Sequence, residues 1–539
     1  ATDIVRSSAA DGLGNVTIAG STASNAPAVF APVGAFQAAY GGGLQDAFIT
    51  KFDGKGNRVW STYFGRTLND EALDCDMDTQ GNVVVTGVTQ PSQVGTLSTP
   101  GAYQPFHGGG SQDAFLAKFD QNGAVIWSTF YGDQGDDVGH TCNLDQNGNV
   151  FVCGYTSSQA SMASPGAHQS TIAGTGDGFV AKFNSAGQRI WASYFGGPRV
   201  DRVYACAADF NGALLVTGRT DSLSNGSGIA TVGCHQPICG LGTYDAFLAK
   251  FDSNGVREWG TYYGGSAADE GRAVDTDAQG NVYLAGHTYS TSAISTNNAH
   301  QPSNGGGQDG FLAKFDPSGQ RLWGTYHGGT AGDPVYGLVA DTQSRVFISG
   351  HTSSSNAIAT VGAYQTTYDF ADDAFVAEFD GNGIRQWSTY YGESQQDWLH
   401  AVCVDANGDL FAAGTTQSTT SMASPGAFQA TYGGGVGDAL LVKFGLPLSI
   451  ESEFDTDQYG LLAYPNPASN QVTLSWPETA FQSSLLISVE NTMGQVVFQG
   501  FAEPGVRFFQ IPMEKLATGC YFATARFESG TKTVKILKQ

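Results

Sequence analysis

One phrase, repeated, constrains this chain more than anything else in it. DAFLAKFD begins at Asp113, and close copies begin at Asp46, Asp177, Asp245, Asp309 and Asp373. A seventh copy, DALLVKFG, begins at Asp438 and stops before the tryptophan that follows in the others. A second phrase keeps step: DGLGNVTIAG at 11, DTQGNVVVTG at 78, DQNGNVFVCG at 145 and DFNGALLVTG at 209. It continues as DAQGNVYLAG at 277, DTQSRVFISG at 341 and DANGDLFAAG at 405. The chain has 539 residues, enough for several unrelated domains, but a period of this size implies stacked copies of one unit.

Each copy divides into four short strands. In the fifth, GRAVDTD at 271 is an apolar strand a, and Asp-x-x-Gly-Asn is a turn whose Gly and Asn tolerate positive φ. VYLAG is strand b, DGFLAKFD at 309 is strand c with period-two alternation, and RLWGTYHGG at 321 is strand d. A blade this small cannot bury both faces alone, whereas a closed ring of blades does so and removes most open edges. The prediction is all-β: a seven-bladed β-propeller of four-stranded blades followed by a small Ig-like β-sandwich. Glycine at 73 residues, 12% aromatics and only 14% charged residues fit that class. Trp60, Trp127, Trp191, Trp259, Trp323 and Trp387 are predicted to wedge between neighbouring blades.

DAFLAKFD, WSTYYGG and DxxGNVYLAG closely resemble the bacterial seven-bladed propeller repeat, the SBBP repeat, over about residues 3 to 445. The resemblance implies a fold and a secreted or cell-surface setting; it carries no common catalytic residues. After it, 446–460 reads as an acidic linker, and 461–539 as a sandwich of alternating strands. YPNP at 464, NTMGQVV at 491, LATGCYF at 516 and the basic end KTVKILKQ resemble the type A sorting domain of the Bacteroidetes type IX secretion system. That implies docking on the secretion machinery and export to the outer surface or beyond it.

Two sites suggest themselves on the face of the long b→c connections. GAFQ, GAYQ, GAHQ, GCHQ and NAHQ words place Phe36, Tyr103, His168, His235, His300, Tyr364 and Phe428 beside a glutamine such as Gln104 or Gln365. A ring next to an amide suits sugar stacking; it equally suits packing the loop on its blade. Asp3, Asp70, Asp137, Asp201, Asp269, Asp333 and Asp397 precede strand a, and Asp46, Asp113, Asp177, Asp245, Asp309, Asp373 and Asp438 open strand c. The first set offers carboxylates for Ca²⁺ if it rings the channel mouth. The alternative is that each Asp accepts backbone N–H bonds in a turn.

Formal charge is 25 − 49 = −24, which disfavours a nucleic acid partner. No run approaches the roughly 20 apolar residues of a transmembrane helix. ATDIVRSSAA has no basic start or apolar core, as in a processed chain. Cys234 and Cys239 share a loop that a disulfide fits; the remaining cysteines read as small buried hydrophobes. No metal-ligand spacing, P-loop or nucleophile elbow is present, and no cofactor is implied. The expected function is a non-enzymatic extracellular component: structural, adhesive or self-assembling. The alternatives are glycan binding on the b→c face, or a polysaccharide-degrading enzyme. Blade 7 lacks its strand d, and three repairs are open: a strand upstream of Ala1, one from 446–460, or an unpaired edge.

Overall fold

Local hydrogen bonding explains why the repeated words fold as they do. In Asp-x-x-Gly-Asn, the Asp277 carboxylate accepts the N–H groups of Gln279 at 3.0 Å and Asn281 at 2.9 Å, and the Asn281 amide at 2.8 Å. Gly280 supplies φ +78°, and the chain reverses into strand b. The c–d turn repeats the device, with Asp316 capping Ser318 and Gln320 around Gly319 at φ +84°. A lysine from strand c reaches the Asp of the a–b turn in the same blade, as Lys182 does Asp145 at 3.0 Å and Lys250 does Asp209 at 2.9 Å. Blade 6 carries Glu378 in place of that lysine, and Arg345 takes over the Asp341 carboxylate at 2.6 Å.

The computed structural model describes residues 1–445 apart from 33, 93–96, 222–227, 241, 421 and 425. Of the remainder it describes 462–464, 471–475, 485–491, 495–503, 506, 508–517, 519–527 and 530–538. The expected linker at 446–460 lies outside the described residues. The chain divides into two compact units, Ala1–Phe444 and Gly445–Gln539. The first contains seven antiparallel sheets with strands in the order a-b-c-d. Blade 1 is Asp3–Ala10, Val16–Thr22, Asp46–Phe52 and Arg58–Phe64, and five further blades repeat it. Blade 7, Asp397–Val404, Leu410–Thr416 and Asp438–Phe444, has three strands among the described residues.

Strand a of each blade packs on strand a of the next, and that of blade 7 on that of blade 1, so these strands surround an axis. The ring is also tied at its ends. Asp3 N–H donates to Gly437 O at 2.8 Å, as Asp70 does to Gln45 at 3.0 Å and Asp137 to Gln112 at 2.9 Å. Around the axis, Asp76 and Asp275 each accept a strand-a N–H of the next blade, from Leu144 and Ala340, both at 2.8 Å.

The repeat tryptophans lie between blades. The indole N–H of Trp60, Trp127, Trp191, Trp259 and Trp323 donates to a carbonyl in the next blade's c–d turn, at 2.9–3.1 Å. The turn's left-handed glycine lies flat under the indole: a Cβ on Gly255 would sit 2.7 Å from Trp191. Each apolar core is therefore shared by two blades, as where Trp60 and Phe64 meet Phe115 and Phe119. Trp387 is the exception, donating instead to Glu378 of its own blade.

The second unit forms two antiparallel sheets. One joins Leu462–Tyr464, Gln471–Ser475 and Phe508–Pro512; the other orders Val496–Ala502, Leu485–Asn491, Gly519–Phe527 and Gly530–Lys538. Val472, Ile487, Ile511 and Tyr521 share one core, as in a sandwich. The disulfide does not form: Cys234 and Cys239 are free. The Cys239 thiol is buried in the blade 4 core and bonded to Asp245, while Cys234 is half-buried.

Because the indole fills an inter-blade wedge, Trp191→Ala is expected to lower the unfolding free energy by about 3–5 kcal/mol, measured by denaturant titration. Trp387→Ala, which removes no inter-blade hydrogen bond, is expected to cost less in the same titration.

Candidate functional site: a ring of bulged residues

The last glycine of the DxxGNVxxxG word looks redundant in sequence and is not. A Cβ on Gly286 would collide with Glu270 O of strand a, and the same holds for Gly20, Gly87, Gly154, Gly218, Gly350 and Gly414 against their partners. That close approach accompanies a β-bulge. In every strand a the register slips at one residue, three places after the leading Asp. A bulge re-aims the side chain it carries. The seven bulged residues are Arg6, Leu73, His140, Tyr204, Arg272, Tyr336 and His400. All seven are half-buried on the axial strands, and no two neighbours are alike.

Adjacent side chains complete a cluster on blades 3 to 7. The Arg272 guanidinium lies 4.3 Å over the Tyr204 ring, and its Nη2 pairs with Glu270 at 2.8 Å. His140 meets Tyr204 at 5.2 Å between centroids. Tyr336 meets His351 at 5.6 Å and His400 at 5.7 Å, and His351 meets Trp398 at 5.3 Å. Arg202 lies 4.8 Å over Tyr155 and forms no ion pair among the described residues. Burial, with Arg272 and Arg202 adding, lowers the His140 pKa to about 3. Burial, Arg6 and His351 do the same for His400, and burial lowers His351 to about 4 against the pull of Asp372. These imidazoles are neutral at neutral pH. Arg272 Nε, His287 Nδ1, His351 Nδ1 and Trp398 Nε1 are buried without a partner among the described residues, hydrogen-bonding capacity that these residues do not use.

The residues singled out by sequence are elsewhere. The GAxQ rings bridge blades: Phe36 meets Phe119 at 6.3 Å, Tyr103 Phe183 at 5.7 Å, His168 Phe251 at 5.8 Å, and His235 Phe315 at 5.9 Å. His300 meets Phe379 at 6.0 Å, and Phe428 meets Phe52 at 5.7 Å across the closure. Tyr364 stacks on Tyr391 of its own blade. The Gln104 amide is occupied too, donating to Phe106 O at 3.0 Å and accepting Gly132 N–H at 3.1 Å; Gln365 repeats this with Thr367 and Gly392. These glutamine side chains are thus engaged within the blade.

The two sets of aspartates come together in pairs. Each strand-c Asp faces the strand-a Asp of the next blade: Asp46 with Asp70, Asp113 with Asp137, Asp177 with Asp201, Asp245 with Asp269, Asp309 with Asp333, Asp373 with Asp397. The seventh pair, Asp438 with Asp3, spans the closure. Their ligands are donors: Asp137 accepts Asp133 N–H at 2.9 Å and the Ser158 hydroxyl at 2.7 Å. The strand-c carboxylates of Asp46, Asp113, Asp245, Asp309, Asp373 and Asp438 each keep Oδ1 buried without a partner among the described residues. Among the described residues no three His, Cys, Asp or Glu side chains group as metal ligands. Burial first, and the neighbouring carboxylate after it, push Asp113 up to about 8 and Asp46, Asp309 and Asp373 to about 7.

Comparison with known proteins agrees with the fold and adds an address. Residues 462–539 match the secretion system C-terminal sorting domain, and residues 258–292 match the beta-propeller repeat. The chain is an exported β-propeller protein. It is 23% identical over 440 residues to an uncharacterized WD repeat-containing protein of Acanthamoeba polyphaga mimivirus, covering 69% of this chain and 31% of that one. It is 23% identical over 371 residues to the regulatory protein FlaEY of Caulobacter vibrioides, covering 64% and 36%. It thus spans about a third of the length of these relatives. Similar solved structures include PorZ of the Porphyromonas gingivalis type IX system, at 10% identity and TM-score 0.26 over 99% of this chain and 81% of that one. Another is an ulvan lyase, at 11% identity and TM-score 0.37 over 74% and 87%. The sorting domain implies engagement with the type IX machinery; no helix among the described residues is long and apolar enough to cross a membrane.

Gly286→Ala is expected to displace the blade 5 bulge and lower the melting temperature by more than Gly332→Ala, whose Cβ position is open; calorimetry on the two variants checks this. For the Asp pairs the sign follows from the raised pKa. The folded state holds protons that the unfolded state has released above about pH 4, so this stability is lost as pH rises through 7–8. Between pH 6.5 and 8.5, above the window of the buried histidines, the melting temperature is expected to fall. Asp113→Asn is expected to flatten that fall, as read from melting curves at several pH values.

Proposed function

We propose that this exported propeller is an extracellular adhesive component that holds an anionic saccharide at the axial ring, without turning it over. The observation that carries the reading is the asymmetry of the bulged positions: seven equivalent places on near-identical blades hold two Arg, two His, two Tyr and one Leu, with no two neighbours alike. Aromatic faces at Tyr204, Tyr336 and Trp398 suit the C–H faces of pyranose rings. Guanidinium groups at Arg202 and Arg272 suit a carboxylate or sulfate through paired N–H donors. Neutral imidazoles and an unpartnered indole N–H supply hydrogen bonds that fix orientation without adding charge. The GAxQ loops act here as clamps between blades, which moves the expected glycan site from the loop face to the axis. The uniform face words, the sorting domain and the axial ring together fit a rigid surface-displayed binder.

Calorimetric titration with uronic acid and sulfated oligosaccharides, against neutral ones of equal length, tests the reading. Binding is expected for the anionic set alone, weakening with salt, and falling at least tenfold in Arg202→Gln and Tyr336→Ala. Equal binding of neutral sugars, or no effect of either variant, would remove the proposal. New reducing or unsaturated ends in the same mixtures would replace binding by catalysis.

A further inference from the structure

The last residue of strand d is a ring in all six blades that have one, and in blade 5 that ring is out of keeping with its surroundings. Tyr131 and Tyr263 donate their hydroxyls to Met162 O and Ile294 O of the next blade, both at 2.7 Å, and Tyr391 donates to Met422 O at 3.0 Å. Phe64 and Phe195 are buried and have nothing to bond. In blade 5 the residue is His327, fully buried, with its ring 5.0 Å from Phe375 and 5.8 Å from Phe379. Neither Nδ1 nor Nε2 has a partner among the described residues. Burying one donor and one acceptor in this way costs the fold free energy that no contact returns. An imidazole is also shorter than a phenol, so it stops short of Ile358 O, the carbonyl equivalent to Met162 O and Ile294 O.

The two residues after it, Gly328 and Gly329, line an open pocket between blades 5 and 6, together with His300, Asn304, Asn356 and Arg385. Hydrogen-bond donors are in surplus there. Arg385 Nη1 donates to Ala357 O at 2.7 Å and Ile358 O at 2.9 Å, while Nε is buried without a partner among the described residues. The Nε–Nη2 side of the guanidinium, which holds an oxyanion by two parallel bonds, is therefore unspent. Asn304 Oδ1 accepts Gly306 N–H at 2.9 Å and leaves Nδ2 buried and unpartnered among the described residues. Asn356 Oδ1 accepts the N–H and the hydroxyl of Thr330, at 3.2 and 3.1 Å, which turns its amide hydrogens the other way. The carboxyl pair of Asp309 and Asp333 lies behind Gly328 and is already engaged, by Gly305 N–H and Gly329 N–H, both at 2.7 Å. Arg385 forms no ion pair among the described residues. Burial, and Arg385 after it, keep His300 and His327 neutral. One blade earlier the same clamp is complete in itself: Arg321 donates to Ala293 O and Ile294 O at 2.8 and 3.0 Å, and the Tyr263 ring lies under its guanidinium at 5.9 Å.

We propose that the junction of blades 5 and 6 is a second ligand site, which takes one compact oxyanion, a carboxylate or sulfate group, on the unspent side of Arg385. The guanidinium supplies the charge and two N–H bonds in the plane of the anion. Asn304 Nδ2 and the Asn356 amide supply neutral donors from the two b→c connections. His327 supplies a ring N–H in the space that a tyrosine occupies at the equivalent junctions. An oxyanion so held meets donors that the protein leaves unsatisfied, and its charge is met by a cation with no carboxylate of its own. The site shares no residue with the axial ring, and it stands whether or not that ring binds a saccharide.

Melting curves of chain 1–539 in rising glycolate or inorganic sulfate, against chloride at equal ionic strength, test the site. At least one of the two anions is expected to raise the melting temperature saturably, and the one that acts tells a carboxylate site from a sulfate site. Arg385→Gln is expected to weaken that anion about tenfold or more. Arg321→Gln, which loses the same clamp one blade earlier, is expected to leave it unchanged. His327→Tyr gives blade 5 the residue of blades 2, 4 and 6. It is expected to raise the melting temperature of the chain without anion and to abolish the response, so the test holds even where Arg385→Gln fails to fold. No saturable response to either anion, or one that survives His327→Tyr, would overturn the site. A response lost in Arg202→Gln but kept in Arg385→Gln would also overturn it and assign the anion to the axial ring.

Discussion

The close approach of a strand-b glycine to a strand-a carbonyl is the contact on which the rest depends. It brings the two inner strands together only where no Cβ stands between them, as at Gly286 against Glu270. The extra residue of each bulge then leaves the ladder and faces the axis. A plain antiparallel ladder would place the same residue in alternation with its neighbours, on one face of its blade. The bulge separates the positions that must repeat from those free to vary. The leading Asp and the small or apolar residue two places on remain in the ladder, and the bulged residue next to it carries the chemistry.

The outer edge of the ring obeys a complementary rule. The indoles and the left-handed glycines are complementary halves of one joint, carried by neighbouring blades. A blade therefore gains little alone, and the ring gains from each joint closed. Blade 6 shows how local a repair is. The lysine found in strand c elsewhere is Glu378 here, which accepts the Trp387 indole N–H, while Arg345 neutralises the turn aspartate that the lysine would have met. Two substitutions far apart in sequence restore one charge balance and satisfy one donor.

Fold and site were legible to different degrees, for one reason. Repetition announces structure, because seven copies of DAFLAKF and of the Asp-x-x-Gly-Asn turn must all meet the same packing demand. The axial ring is carried by positions that do not repeat, and reading for common words passes over them. Aligning the copies on the leading Asp and asking where they disagree would have found Arg6, His140, Tyr204, Arg272, Tyr336 and His400 in one column. The bulge itself had a signal too, the closing glycine of each strand b, read only as a strand end. For the GAxQ rings the sequence left sugar stacking and packing both open; their contacts with the next blade depend on ring closure, which no short stretch of sequence reveals. The paired aspartates were half legible, as turn formers, but their partners lie one blade away.

The overall charge of −24 and an anionic ligand at the axis are compatible once distance is considered. At physiological ionic strength a field decays over about 8 Å, so a ligand in the ring responds to its walls rather than to the outer surface. Those walls hold Arg6, Arg202, Arg219 and Arg272 with Glu71, Glu270 and, further along the same axial strands, Asp76 and Asp275; Glu270 is shared between Arg272 and Arg219, and Arg219 also meets Asp221. Arg202 alone of the four has no ion pair among the described residues, and it is held by the face of Tyr155 instead. A long polyanion lying along the outside would be repelled at every point. The proposed saccharide, presenting one or two anionic residues to the axis, would meet cations, neutral imidazoles and aromatic faces held by strands on a closed ring. Little side-chain entropy remains to be lost on binding at such a site.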